Sequence, residues 1–289
     1  MKRVLVFGEN AVDVIMKLNS FNIEEDHNNV AVSSKIDIGG SGINFARALF
    51  NLKETPIYFT PISKDFFGMS IRNFLDLKGI NYFDVSSEKP TPVVISIIQD
   101  NKRFTIANIL NTSYTDLDFD VFMNANLHFD YAYISGGLLT EKKPQEESIK
   151  IVEYIRNYSN MVFFDPQVRI CVGTPNFKET AEKIISNSHV VFSNQKEIEY
   201  FNKNNIELFL NRGGILVIKM GENGARLIAK TQEYEVKGVY AKGNNLVGAG
   251  DVFNASFIKA IVSGENYKDA LNFANTFAAN FVERGFCDG

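Results

Sequence analysis

Short runs of consecutive apolar residues, rich in β-branched and aromatic side chains, recur at 4–7, 131–134, 162–164, 190–192 and 215–218, each ending in polar or glycine positions. Unbroken apolar runs of this length predict strands buried on both faces. Between them, Phe45, Ala48, Leu49 and Leu52, and again Ile149, Val152 and Ile155, fall at helical spacing. Strands alternating with helices predict βαβ units, an α/β fold with a central, mostly parallel sheet flanked by helices. Two stretches break the rhythm. Residues 14–38 alternate polar and apolar positions, and 93–98 with 103–106 read as a hairpin turning near Asp100 and Asn101. They predict a small β-rich lid drawn from discontinuous segments, roughly 14–38 and 91–108, on a single domain spanning 1–289. No internal repeat or low-complexity linker divides the chain.

Composition narrows the partners. The 289 residues, 45% of them hydrophobic, supply ample core for one large domain. A net charge of −4 with no basic block speaks against gripping nucleic acid or an anionic membrane, and favours a small-molecule partner. Cys171 and Cys287 cannot build a disulfide framework, and with His27, His128 and His189 they form no zinc-type spacing. Glu9 and Asp13 interrupt the first apolar run before a signal-peptide core forms, so a cytoplasmic protein is expected.

The sharpest chemical signal is Gly248-Ala249-Gly250-Asp251, followed by Val252, Phe253, Ala255, Phe257, Ile258 and Ile261. This is a glycine turn opening a helix. Successive amides at such a terminus, with the helix dipole, suit phosphate oxygens, and an Asp there can hydrogen-bond an incoming hydroxyl. The tetrapeptide alone reads equally well as a capped helix after a tight turn. A Walker A sequence is absent.

The nonapeptide around Asp251 resembles the C-terminal signature of the ribokinase-like PfkB carbohydrate kinases, and Gly39-Gly40-Ser41-Gly42-Ile43-Asn44-Phe45-Ala46 resembles their other signature, followed by Asp65 and Gly68. The likeness continues through Gly8-Glu9-Asn10 and Asp13, Asp165-Pro166 with Arg169, Asn194-x-x-Glu197, Gly221-Glu222-Asn223-Gly224 and Ala274-Asn275, covering essentially the whole chain. It implies an ATP-dependent kinase of a hydroxyl on a hexose, pentose or sugar acid, of the fructokinase, ribokinase or ketodeoxygluconate-kinase kind. In that reading Asp251 is the base and Gly248, Ala249 and Gly250 form the anion hole, while Asn10, Asp13, Gly39, Gly40, Asn44 and Arg169 bind substrate. Asn194, Lys219, Gly221, Gly224 and Asn275 would then serve the nucleotide, with Glu197 ordering Mg²⁺ through water. Each has a plainer reading beside it: Asn194 and Glu197 have capping-box spacing, Gly221 to Gly224 a β-turn, and Asn275 lies in a core helical stripe.

Departures from the family pattern shape the remaining expectations. Asn245 stands where relatives commonly carry Asp, so a K⁺ site is not counted on. Gln167 replaces a frequent Asn, and the segment at 107–109 lacks an aromatic-Arg pair seen in fructokinases. Ser41 replaces a Lys that phosphosugar kinases often use, which favours a neutral substrate. The alternatives are a nucleoside kinase, needing an aromatic platform for which Phe21, Phe83 and Phe104 are candidates, and a sugar-binding regulator without turnover. A homodimer formed through the lids is a further expectation from the resemblance.

Overall fold

The computed structural model describes residues 2–22, 24, 28–99, 102–243 and 247–286; His27, the Asp100-Asn101 turn, Asn245 and Cys287 lie outside the described residues. In chain order the elements are β1 (Arg3–Phe7), β2 (Ala11–Leu18), β3 (Ala31–Gly39), α1 (Ser41–Asn51), β4 (Thr55–Ser63), α2 (Phe66–Lys78), β5 (Asn81–Ser87), β6 (Val93–Gln99), β7 (Lys102–Asn108) and α3 (Phe119–Asn124). There follow β8 (Tyr131–Ser135), α4 (Lys142–Tyr158), β9 (Met161–Asp165), α5 (Val168–Cys171), α6 (Phe177–Asn187), β10 (Val190–Asn194) and α7 (Gln195–Ile198). The chain continues through α8 (Lys203–Asn211), β11 (Ile215–Lys219), β12 (Ala225–Ile228), β13 (Glu233–Val236), α9 (Ala249–Val262) and α10 (Tyr267–Arg284).

A nine-stranded sheet in the order β13-β12-β11-β10-β9-β8-β1-β4-β5 forms the centre. It is parallel from β11 to β5, and only the pairings of β12 with β11 and β13 are antiparallel. All five apolar runs are strands of this sheet, and their continuity has a direct cause: both faces are covered. Val4 and Val6 of β1 point into a core shared with Phe45, Phe257 and Leu271 of α1, α9 and α10, while Leu5 and Phe7 point into a second core with Ile151, Ile155, Phe177 and Ile184 of α4 and α6. Phe45 stacks on Tyr133, ring centroids 3.6 Å apart, fixing α1 against β8.

The strand order reverses between β1 and β8. Chain continuing from β1 adds β4 and β5 on one side, whereas β8 begins the run toward β11 on the other. Such a switch point leaves a crevice at the carboxyl ends of the two strands, the place where ligands gather in open α/β sheets.

A second, four-stranded sheet, β3-β2-β6-β7, projects from the core. β2 and β3 pair antiparallel, β2 and β6 parallel, and β6 and β7 antiparallel from Val93↔Asn108 to Gln99↔Lys102. Register assigns its two faces. Asp13, Val94 and Ala107 share one row of one face, with Thr105 and Arg103 further along it. On the other face Ile36, Val14, Ile95 and Ile106 form a row, beside Met16, Ile97 and Phe104. The first face looks onto the crevice. The second leaves Ile36 66% and Ile106 61% exposed.

Candidate active site

The crevice at the switch point is a cavity of about 720 Å³ floored by the carboxyl ends of β1, β8, β9, β10 and β11 and roofed by the small sheet. Asp251 faces it from the first turn of α9, buried but for 6% of its surface. Gly248 precedes that helix with φ 88°, a left-handed conformation that suits glycine and swings the chain into the first turn. The first intrahelical bond runs from the Val252 N–H to the Gly248 carbonyl at 2.9 Å, so the amides of Ala249, Gly250 and Asp251 lie ahead of it, at the positive end of the dipole. Among the described residues, a Cβ at Gly250 would have only Lys219 Nζ within 4 Å, at 3.6 Å, which leaves that side open to an incoming group.

Asp251 sits in an acidic neighbourhood. Burial raises its carboxyl well above the usual range, and Asp165 and Glu9 raise it further, while Lys219 and the Asn44 amide favour the ionised form. Asn44 Nδ2 donates to Asp251 Oδ2 at 3.4 Å. Asp165 Oδ2 accepts from Lys219 Nζ at 2.6 Å and from Asn254 Nδ2 at 2.7 Å, and its Oδ1 accepts from the Gln167 N–H at 3.2 Å. Lys219 stays charged because Asp165, then Glu197 and Asp251, outweigh its burial. Glu9 Oε1 accepts from the Ser41 N–H at 3.1 Å, capping α1 in place of Gly40, which has no side chain to do so.

Asp13 enters from the roof. Gly39 packs against it so closely that a Cβ there would fall 2.0 Å from Asp13 Oδ2, so the glycine makes room for the carboxylate. Burial lifts the Asp13 carboxyl to about 6, with the Arg103 guanidinium opposing that shift. Arg103 reaches the cavity from β7, steadied by Nε and Nη2 bonds to Ser96 Oγ at 3.1 and 2.8 Å. Arg169 reaches it from α5, and its like charge together with burial lowers the Arg103 value. Among the described residues neither guanidinium forms an ion pair.

Gly40, Asn44, Arg169, Asn194, Glu197, Lys219, Gly221, Gly248, Gly250, Asp251 and Asp13 thus line one cavity. Asn10, Gly39, Gly224, Ala249 and Asn275, also named from the sequence, are not on that lining. Asn10 is turned away: its amide donates to Thr60 Oγ1 and the Pro61 carbonyl, both at 2.8 Å, pinning β2 to β4. Asn275 donates to the Lys237 carbonyl at 2.6 Å and ties α10 to the end of β13. Gly224, with φ 100°, has the Val236 carbonyl where a Cβ would stand, so it serves a turn. Glu9, Asn254 and Arg103 carry no assigned role in the sequence; Glu9 lies within the Gly8-Glu9-Asn10 motif, whereas only the β6–β7 register turns Arg103 inward. Phe21, Phe83 and Phe104, the aromatic candidates for base stacking, are not among the lining, and Phe21 and Phe104 meet each other with centroids 5.4 Å apart.

Asn194 and Glu197 form a capping box, the Asn194 side chain accepting from the Lys196 and Glu197 N–H groups and Glu197 Oε2 accepting from the Asn194 N–H at 3.0 Å. The Glu197 carboxyl is raised by burial and then by Asp165, with Lys219 opposing. Among the described residues no cluster of His, Cys, Asp or Glu is assembled to hold a metal directly, and no helix is long and apolar enough to cross a membrane.

Comparison with known proteins agrees with this geometry. The 5-dehydro-2-deoxygluconokinase of Clostridium perfringens is 24% identical over 92% of this chain and 85% of its own length. The nucleoside kinase of Methanocaldococcus jannaschii, an archaeal member of the ribokinase family, superposes with a TM-score of 0.81 at 22% identity, covering 99% of this chain and 93% of that one. A sugar kinase of Pyrococcus horikoshii solved in complex with ATP superposes with a TM-score of 0.78 at 19% identity, covering 96% and 91%. The family model for pfkB family carbohydrate kinases matches residues 1–288, and the chain therefore belongs to that family, as a phosphotransferase that uses ATP to phosphorylate a sugar hydroxyl.

Proposed function

We propose that the substrate is an acidic sugar, a hydroxylated carboxylate, phosphorylated through Asp251 as general base. The observation that carries the substrate class is the pair Arg103 and Arg169. The two guanidiniums face the same cavity as Asp13; burial and then the charge of Arg169 lower the Arg103 value, the Asp13 carboxylate opposes them, and among the described residues neither guanidinium forms an ion pair. Holding like charges together is unfavourable, and a carboxylate between them relieves it while gaining charge-assisted hydrogen bonds. Of the substrates the family likeness leaves open, this favours the sugar acids over the neutral sugars suggested by Ser41, because positive charge comes from β7 and α5 instead of α1. The acid sugar named for the Clostridium perfringens relative has the same character.

In this reading the sugar lies beneath the small sheet, with hydroxyls on Asp13 and the carboxylate on Arg103 and Arg169. The accepting hydroxyl points at Asp251. Its proton passes to the Asp251 carboxylate as its oxygen bonds the γ-phosphorus and the bond from that phosphorus to the bridging oxygen breaks, leaving ADP. The amides of Ala249, Gly250 and Asp251 face the oxygens of the moving phosphoryl group, so positioning and electrostatics supply most of the rate. Mg²⁺, which supplies charge neutralisation on the phosphates when bound, fits a water-mediated hold by Glu197, whose buried carboxyl borders the cavity beside Asn194. Coupled ADP-release assays over sugar acids, neutral sugars and nucleosides test the whole reading: turnover confined to neutral sugars or to nucleosides overturns the acid assignment, and absence of turnover with binding retained points to a regulator.

A homodimer belongs to the same proposal. The outer face of the small sheet carries Val14, Ile36, Ile95 and Ile106 in one row, with Ile36 and Ile106 exposed and Val14 and Ile95 half-buried. A second copy presenting the same row is self-complementary about a two-fold axis and would cover both.

A further inference from the structure

Two side chains outside the glycine turn, Lys219 and Asn254, meet at one carboxylate, that of Asp165, beside the first turn of α9. Lys219, the last residue of β11, extends across the end of β10, passing 5.9 Å from the Phe192 ring, to reach Asp165 at the end of β9. Its ammonium also sits 3.6 Å from where a Gly250 Cβ would be. Asn254, one turn beyond Asp251 on α9, donates to the same Asp165 oxygen and is fully buried. One carboxylate oxygen thus gathers a cation that abuts Gly250 and an amide three residues past Asp251.

We propose that Asp165, Lys219 and Asn254 form a clamp that aims the first turn of α9, in which Lys219 is the positioning residue for Asp251 and its counter-charge. The inference rests on Asp251 being the base. The groups facing Asp251 are Glu9 from the end of β1, Asp165 from β9, Lys219 from β11 and the Asn44 amide from α1, and Lys219 is the one cation in that set. Two buried carboxyl groups press Asp251 toward its protonated, idle form, and the ammonium opposes them. Asp165 has a second effect: without it Lys219, buried, would lack the partner that keeps it charged.

The test is kcat against pH, at saturating ATP and sugar, for the full-length protein and its Lys219→Met and Lys219→Arg variants. A lost counter-charge moves the acid limb of Lys219→Met upward by about one pH unit or more, with activity recovering toward alkaline pH, and Lys219→Arg restores the limb. Lys219 acting only as a scaffold would lower kcat by the same factor at every pH and leave the limb in place; that result overturns the proposal. Should Lys219→Met fail to fold, Asn254→Asp adds a carboxylate to the clamp and is expected to raise the limb too, and an unmoved limb there overturns the proposal equally. The clamp and the base stand apart in this design: an active Asp251→Asn variant removes the base reading, whereas an inactive one beside an unshifted Lys219→Met limb removes the clamp alone.

Discussion

Asn44 Nδ2 stands 3.4 Å from Asp251 Oδ2, joining the first turns of α1 and α9 across 207 positions of sequence. The contact brings the two glycine turns face to face over the switch point, so that the α1 and α9 sides of the cavity meet at one carboxyl group. It also supplies Asp251 with a donor that favours its ionised form.

Replacing Asp251 by Asn removes the proton acceptor while keeping shape and most of the capping ability, since Asn and Asp cap helices about equally well. The expected outcome is a kcat lower by about 10² to 10⁴, with the melting temperature nearly unchanged and ATP and sugar still bound. ADP-release kinetics and thermal unfolding together check it. Full turnover, or an unfolded variant, would leave Asp251 a structural residue.

Sugar binding is expected to weaken as pH falls through about 6, because the Asp13 carboxyl is raised to that value by burial. Above it the ionised group accepts sugar hydroxyls; below it the protonated acid has lost half of that capacity. Calorimetric titration of sugar without nucleotide, from pH 5 to pH 8, separates this from any effect on Asp251. In Asp13→Ala the sugar KM should rise by the equivalent of about 1 to 3 kcal/mol, with ATP affinity nearly unchanged. A flat pH dependence would place Asp13 outside the sugar contacts.

Arg103→Met and Arg169→Met are each expected to raise KM for an acidic sugar about ten- to a hundred-fold, the loss expected for one charge-assisted hydrogen bond. For the corresponding neutral sugar alcohol the change should be small or reversed. Equal losses on both would mean that the guanidiniums hold the small sheet in place instead of reading the carboxylate.

Ile106→Lys puts a charge into the exposed end of the outer apolar row, on the edge strand β7. Sedimentation at micromolar concentration should find the unmodified protein dimeric and this variant monomeric. A monomeric unmodified protein ends the dimer proposal.

Much of this molecule was readable from its residue order alone, for reasons that are local. A parallel sheet covered on both faces imposes uninterrupted apolar runs, so β1, β8, β9, β10 and β11 declared themselves, and residues 93–98 and 103–106 declared the β6–β7 pair as a hairpin. The turn at Gly248 to Gly250 was equally legible, because glycine is the residue that most easily takes the left-handed conformation before a helix. Tertiary structure decided what each polar side chain faces. Asn10 and Asp13 are three residues apart in sequence, yet one is spent on Thr60 and the Pro61 carbonyl and the other opens on the cavity. Arg103 and Arg169 carry no mutual signal in sequence, and only the pairing of β7 with β6 and the turn after β9 bring their charges together. The gathering of Glu9, Asp165, Lys219 and Asn254 around Asp251 follows from the order of strands across the sheet. Adjacent strand ends lie near one another in space whatever their separation along the chain, so the charge balance at the site is fixed by topology.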